Sequence, residues 1–147
     1  MLSKSLSELF SRDIPKIKTE IEAYTSEEAI WKKVDGINNS AGNLCLHLSG
    51  NLQHFFGAVL GGTDYKRDRE FEFTGKVTRK ELLVDLDAAL KSVIDTLDEM
   101  PDYELKNEFP VIIMDKTFTI EAFFLHLYAH LSYHLGQINY HRRILDK

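Results

Sequence analysis

His126, His130 and His134 recur every fourth residue in a stretch predicted to be helical, and His141 follows two turns later. On a helix, residues four apart lie one above the other, with Cβ atoms about 5–6 Å apart. Two imidazoles at this spacing can bind one metal ion at metal–nitrogen distances of about 2.0–2.1 Å. A third ligand from another helix would complete a site that keeps open coordination positions. The spacing therefore predicts a metal site.

A second predicted helix can supply the third ligand. His47, Asn51 and His54 share one of its faces, within a strongly apolar stretch that also contains Gly50. Two helices with inward-facing histidines can meet across a helical core. The competing interpretation is a set of packed or surface histidines, which is commoner for a single pair. Leu131 follows His130, so the glutamate of the zinc-protease motif is missing and that chemistry is not indicated.

Apolar periodicity and capping residues predict the elements that position these histidines. Long helices are expected over about 3–23, 40–60 and 78–98, and from 119 or 120 to 145. A short helical turn is expected over about 25–31, a polar segment over about 63–76, and an extended arm or small hairpin over about 103–119. We therefore predict an all-α single domain over residues 1–147, a four-helix bundle with this arm before the last helix.

The bulk composition narrows the class of protein. The 147 residues carry a net charge of −5, which argues against a nucleic-acid partner. The sequence has no apolar run long enough to span a membrane, and its N-terminus is too polar for a signal peptide. The single cysteine, Cys45, excludes an intramolecular disulfide. These features predict a cytoplasmic protein.

The chain resembles the DinB-like superfamily of bacterial damage-inducible proteins. The last helix of those proteins carries a His-x-x-x-His pair followed by Gly-Gln-Ile, matched here by His130, His134 and the segment 136–138. An uncharacterised subgroup looks closer still, with an Arg-Asp-Arg loop like that at 67–69. The resemblance implies a four-helix bundle, a homodimer, and a metal on His47, His130 and His134. It also implies two activities, transfer of a low-molecular-weight thiol and a thiol-dependent isomerisation.

Other residues are candidates for the surroundings of the metal. His126 is expected either to orient a ligand or to be a buried neighbour, because Gln137 and all four histidines of the last helix share one sector that should point inward. His54 is either at the mouth of the site or a polar residue near a helix end. Asn51 and Gln137 lie near the histidines. Arg67 and Arg69 could bind a substrate carboxylate, or could belong to a solvated or salt-bridged loop.

The leading functional hypothesis is a divalent-metal-dependent enzyme that transfers a small thiol to an electrophilic substrate. Zn or Ni is favoured as the metal, with Fe or Mn as alternatives. We identify no catalytic residue, and Cys45 should be a buried structural cysteine, since it lies about 200° around the helix from His47. The alternatives are a non-catalytic metal-binding or stress-response protein and a metal-dependent hydrolase.

Overall fold

The computed structural model describes residues 1–147 and is all-helical, with 71% of the residues in helices and no strands. None of its helices is both long and apolar enough to cross a membrane. The elements are, in chain order, α1 (Leu2–Ala23), α2 (Glu27–Ile30), α3 (Ala41–Leu52), a π-helical continuation (Gln53–Leu60), α4 (Arg69–Thr74), α5 (Arg79–Glu99), a 3-10 helix (Asp102–Lys106) and α6 (Ile120–Leu145).

The long helices begin where the capping residues predict. Thr78 and Glu81 form a capping box at the start of α5, in which each side chain bonds the backbone of the other residue. Ser40 accepts a hydrogen bond from the amide of Asn43 at the start of α3, and Thr119 caps α6. The predicted helix over 40–60 differs from expectation, because it widens into a π-helix after Leu52.

The four long helices pack through one hydrophobic core. Helix α1 contacts α5 and α6, and α3 contacts the same two helices as well as α4. The core contains 28 buried hydrophobic residues, including the stacked rings of Phe56 and Phe124, whose centroids are 4.4 Å apart. Every residue of α3 is buried. Polar groups on α3, His47 and Asn51 among them, are therefore held within the core.

The arm predicted over about 103–119 is extended only over residues 107–119, a hairpin without regular strands, because its first residues belong to the 3-10 helix Asp102–Lys106. The Phe109 amide donates to the Phe118 carbonyl at 2.7 Å, and Ile113 and Lys116 exchange two backbone hydrogen bonds. The turn is centred on Met114 and Asp115, whose φ angles of 50° and 60° suit a tight turn between paired segments. The polar segment predicted over 63–76 differs from expectation, because it contains the short helix α4.

Candidate metal centre

Three histidines from two helices converge at one point. His47 extends from α3, and His130 and His134 extend from successive turns of α6. The Nε2 atom of His130 lies 3.0 Å from Nε2 of His47 and 3.1 Å from Nε2 of His134. The three potential ligand atoms all lie within 4.8 Å of one another. The tertiary structure thus brings together the three histidines that the sequence nominated.

The spacing of these nitrogens fits a metal ion. An ion about 2.1 Å from each nitrogen holds neighbouring nitrogens about 3.0 Å apart at right angles and about 3.4 Å apart at tetrahedral angles. The two short separations, 3.0 and 3.1 Å, are close to the first value. The third pair, His47 and His134, is wider, at up to 4.8 Å, whereas two ligands of one such ion can be at most about 4.2 Å apart. Two of the three separations therefore fit an ion, and one ring must shift inward to complete the site.

The hydrogen bonds of the outer ring nitrogens show what the inner nitrogens have to offer a cation. Nδ1 of His47 lies 3.0 Å from the Glu72 carboxylate, and Nδ1 of His134 lies 2.6 Å from Oε1 of Gln137. Both Nδ1 atoms donate to these oxygens, so both Nε2 atoms present lone pairs to the centre. Nε2 of His130 can donate a proton to only one of them. A shared metal ion would satisfy all three nitrogens together.

Burial keeps the two α6 imidazoles in the neutral form that binds metals. Burial and the neighbouring histidines lower the pKa of His130 to about 3, and burial also lowers the pKa of His134. Nδ1 of His130 is buried and has no hydrogen-bond partner. At neutral pH the ring nitrogens are therefore available as ligands without loss of a proton.

Glu72 on α4 orients His47, and sequence reasoning missed it. Its carboxylate accepts from His47 and also forms a bidentate pair with Arg67, at 2.8 Å from Nε and 2.9 Å from Nη2. Burial raises the pKa of Glu72, but the hydrogen bonds from His47 and Arg67 outweigh it, so the net pKa is lowered. A carboxylate on the outer nitrogen fixes the ring and raises its basicity as a ligand. The only hint of Glu72 in the sequence was that acidic residues accompany Arg67 and Arg69 in the same loop.

Gly50 on α3 makes room for this carboxylate. A Cβ atom at Gly50 would lie 2.1 Å from Oε2 of Glu72 and 2.8 Å from its Cδ. Any larger residue would therefore push Glu72 away from His47. The glycine noted between His47 and Asn51 on the sequence has a steric role in the site.

A cavity of about 490 Å³ opens beside two of the three histidines, His47 and His130, whereas His134 does not line it. His47 and His130 form part of its wall, and Asn51 lies nearby on α3. The hairpin of residues 107–119 contributes Ile113 and Met114 to the lining. This volume is within the range of small-molecule sites. A small ligand could therefore reach the metal-binding nitrogens.

The other predicted site residues, Gln137, His126 and His54, differ in how close they lie to the three histidines. Gln137 touches the site through His134, although its side chain is exposed. His126 is exposed and lines the cavity, but it makes no hydrogen bond to the three histidines, so its orienting role stays a prediction. His54 is half-buried against Phe55 and lies outside the cavity wall.

The sector of α6 that holds Gln137 and the four histidines was expected to point inward, and it is only partly buried. His141 is 4% exposed and belongs to a separate site, where it donates from Nε2 to the Lys32 carbonyl and accepts from the Tyr24 hydroxyl. His126 and Gln137, in contrast, are exposed.

Cys45 is 1% exposed, and burial raises the pKa of its thiol, in agreement with a structural role.

Comparison with known families covers nearly the whole chain. The model of a family described as a protein of unknown function, DUF1572, matches residues 4–147. The matched segment includes the three histidines together with Glu72 and Gly50. A comparison with curated proteins finds no match. The chain therefore belongs to the DUF1572 family.

Proposed function

We propose that this protein is a divalent-metal-dependent enzyme of the DinB-like type, a four-helix bundle that transfers a small thiol to an electrophilic substrate. The observation that carries the proposal is the convergence of three Nε2 atoms beside an accessible cavity. Zn or Ni is the favoured metal, and Fe or Mn are alternatives, because three neutral imidazoles accept all four. Cavity access favours an enzyme over a closed structural site.

The chemistry divides between the ion and the side chains. A divalent ion, when bound, supplies the positive charge that keeps a thiol ionised at neutral pH. His47, His130 and His134 would hold it, while Glu72 and Gln137 fix the orientation of two of these rings. Ile113 and Met114 line the cavity and would contact the apolar part of a substrate.

A homodimer is the second part of the proposal. One face of α6 exposes large apolar side chains, with Leu125 49%, Tyr133 66% and Tyr140 62% exposed. Gly136 lies on the same helix, and a Cβ there would meet nothing within 4 Å. An apolar face with room for close approach suits a second copy of the chain. Sedimentation analysis should give a dimer for the wild type and a monomer for Tyr133→Glu.

The first experiment is elemental analysis of protein purified without an affinity tag. The control is a His130→Ala, His134→Ala double variant whose folding is checked by circular dichroism. We expect near-stoichiometric metal in the wild type and its loss in the variant. Wild-type protein that contains no metal and binds neither added Zn nor added Ni would overturn the proposal.

A second experiment addresses the reaction. The metal-loaded protein is incubated with electrophilic substrates in the presence and absence of an added low-molecular-weight thiol. Thiol-dependent turnover would support the transferase. Turnover without a thiol would identify a metal-dependent hydrolase instead, and no turnover with a fully loaded site would favour a non-catalytic metal-binding protein.

A further inference from the structure

The cavity beside the histidines is positively charged in an otherwise acidic protein. Eleven residues line it, among them Arg67 and Arg69, and none of the eleven is acidic. The chain as a whole carries a net charge of −5. A concave site lined by one sign of charge attracts ligands of the opposite sign. The charge distribution therefore points to an anionic ligand.

The two arginines differ in what they contact. Arg67 is committed to Glu72, since both of its short hydrogen bonds go to that carboxylate. Arg69 is exposed and makes neither a hydrogen bond nor an ion pair with the protein. Its Cζ lies 5.9 Å from the ring centroid of Phe73, and that ring packs against His47 with centroids 4.9 Å apart. Arg69 is therefore an unpaired guanidinium held over an aromatic ring near the metal-binding histidines.

Asn51 supplies a second, independent indication of a ligand. The residue is only 7% exposed, lines the cavity, and has an Oδ1 atom with no hydrogen-bond partner. A buried acceptor without a partner is unfavourable and is uncommon in folded proteins. Because Oδ1 itself is inaccessible, a turn of the amide about χ2, a broad torsion in asparagine, would present it to a ligand N–H or O–H in the cavity.

We propose that the cavity binds a small molecule that carries a carboxylate, with Arg69 pairing with the carboxylate and Asn51 accepting a hydrogen bond from an N–H or O–H group of the same molecule. The single free guanidinium matches one monoanionic group, and its planar fork fits a carboxylate. Ile113 and Met114 contact the carbon skeleton. The inference rests on the proposed function, because the metal would hold the other end of this molecule.

The test uses cobalt-substituted protein, whose visible spectrum reports ligand binding at the metal. The probes are mercaptohexanoate and mercaptohexanol, which have the same thiol and chain and differ in the terminal carboxylate. We expect the wild type to bind mercaptohexanoate about three- to fivefold more tightly, the range that an ion pair at an exposed arginine gives. Arg69→Gln should abolish this preference, and Arg69→Lys should retain part of it.

The matched control is Arg143→Gln, which removes another guanidinium held over an aromatic ring, 5.3 Å from the centroid of Tyr140 and outside the cavity. It should keep the wild-type preference. Equal affinities for the two thiols in the wild type, or the same preference in the Arg69→Gln and Arg143→Gln variants, would overturn the inference. Failure of the wild type to bind cobalt at all would instead overturn the proposed metal site.

The role of Asn51 is tested with mercaptoacetylglycine, which has both an amide N–H and a carboxylate. Asn51→Leu should weaken the binding of this probe several-fold and leave mercaptohexanoate binding unchanged. Equal effects on both probes would show that Asn51 only shapes the cavity, and would overturn its assignment as an acceptor for the ligand.

Discussion

Replacing Glu72 by Gln should weaken metal binding even though Glu72 is not itself a ligand. The glutamine keeps the shape and one oxygen but loses the charge that pairs with both His47 and Arg67. The guanidinium of Arg67 would then lie, unneutralised, 3.5 Å from Nδ1 of His47. Loss of such an outer carboxylate typically costs about 10–100-fold in metal affinity. Because the carboxylate of Glu72 accepts hydrogen bonds from both His47 and the charged Arg67, we expect the upper end, about 2.7 kcal/mol.

The assay is a competition titration of zinc against a chromophoric chelator at neutral pH. Glu70→Gln is the matched control, since it removes the same charge from the same short helix at an exposed position. Its zinc affinity should equal that of the wild type. If Glu72→Gln binds zinc within about threefold of Glu70→Gln, the orienting role assigned to the carboxylate is refuted.

Stability and affinity can be separated by a double variant. Arg67 has a side chain only 14% exposed, so Glu72→Gln leaves a poorly hydrated charge and should destabilise the metal-free protein by about 1–3 kcal/mol. Adding Arg67→Gln removes that charge and should recover part of the stability, measured by urea unfolding. The zinc affinity should stay below that of the wild type, because His47 still lacks its carboxylate.

Three further predictions follow from the same structure. Gly50→Ala should weaken zinc binding about tenfold or more by displacing Glu72, whereas Gly136→Ala, whose Cβ meets nothing within 4 Å, should bind zinc normally; equal zinc affinities would contradict the steric argument. The metal-free protein should lose stability as the pH falls below about 6.5 toward about 3, because His130 takes up a proton in the unfolded chain but not in its buried, folded position. Urea unfolding midpoints at about pH 7 and about pH 5 would test this. The difference between the two midpoints should be smaller in the His130→Gln variant. Cys45 should resist alkylation in the native protein and react after unfolding, and rapid labelling of folded protein would contradict its burial.

The candidate metal ligands were only partly predictable from local geometry. His126 and His130 have the same spacing as His130 and His134, so the resemblance to the DinB-like superfamily was needed to select His47, His130 and His134. The four-residue spacing of His130 and His134 places both rings on one face of any helix, whatever surrounds that helix. His47 required one further step, the meeting of two apolar helices. The helix starts were predictable for the same local reason, since Thr78 and Glu81 complete a capping box within a single turn.

Only the tertiary structure decided what surrounds these ligands. Glu72 lies 25 residues from His47, and their contact depends on how α4 packs against α3 and on the space left by Gly50. A helical projection placed His126 in the same sector as His130. It could not show that the neighbouring elements leave His126 exposed on α6. Arg67 and Arg69 look alike in the sequence, yet packing pairs the first with a carboxylate and leaves the second free. Spacing along a helix determined which atoms can meet a metal, whereas long-range packing determined which charges remain for a ligand.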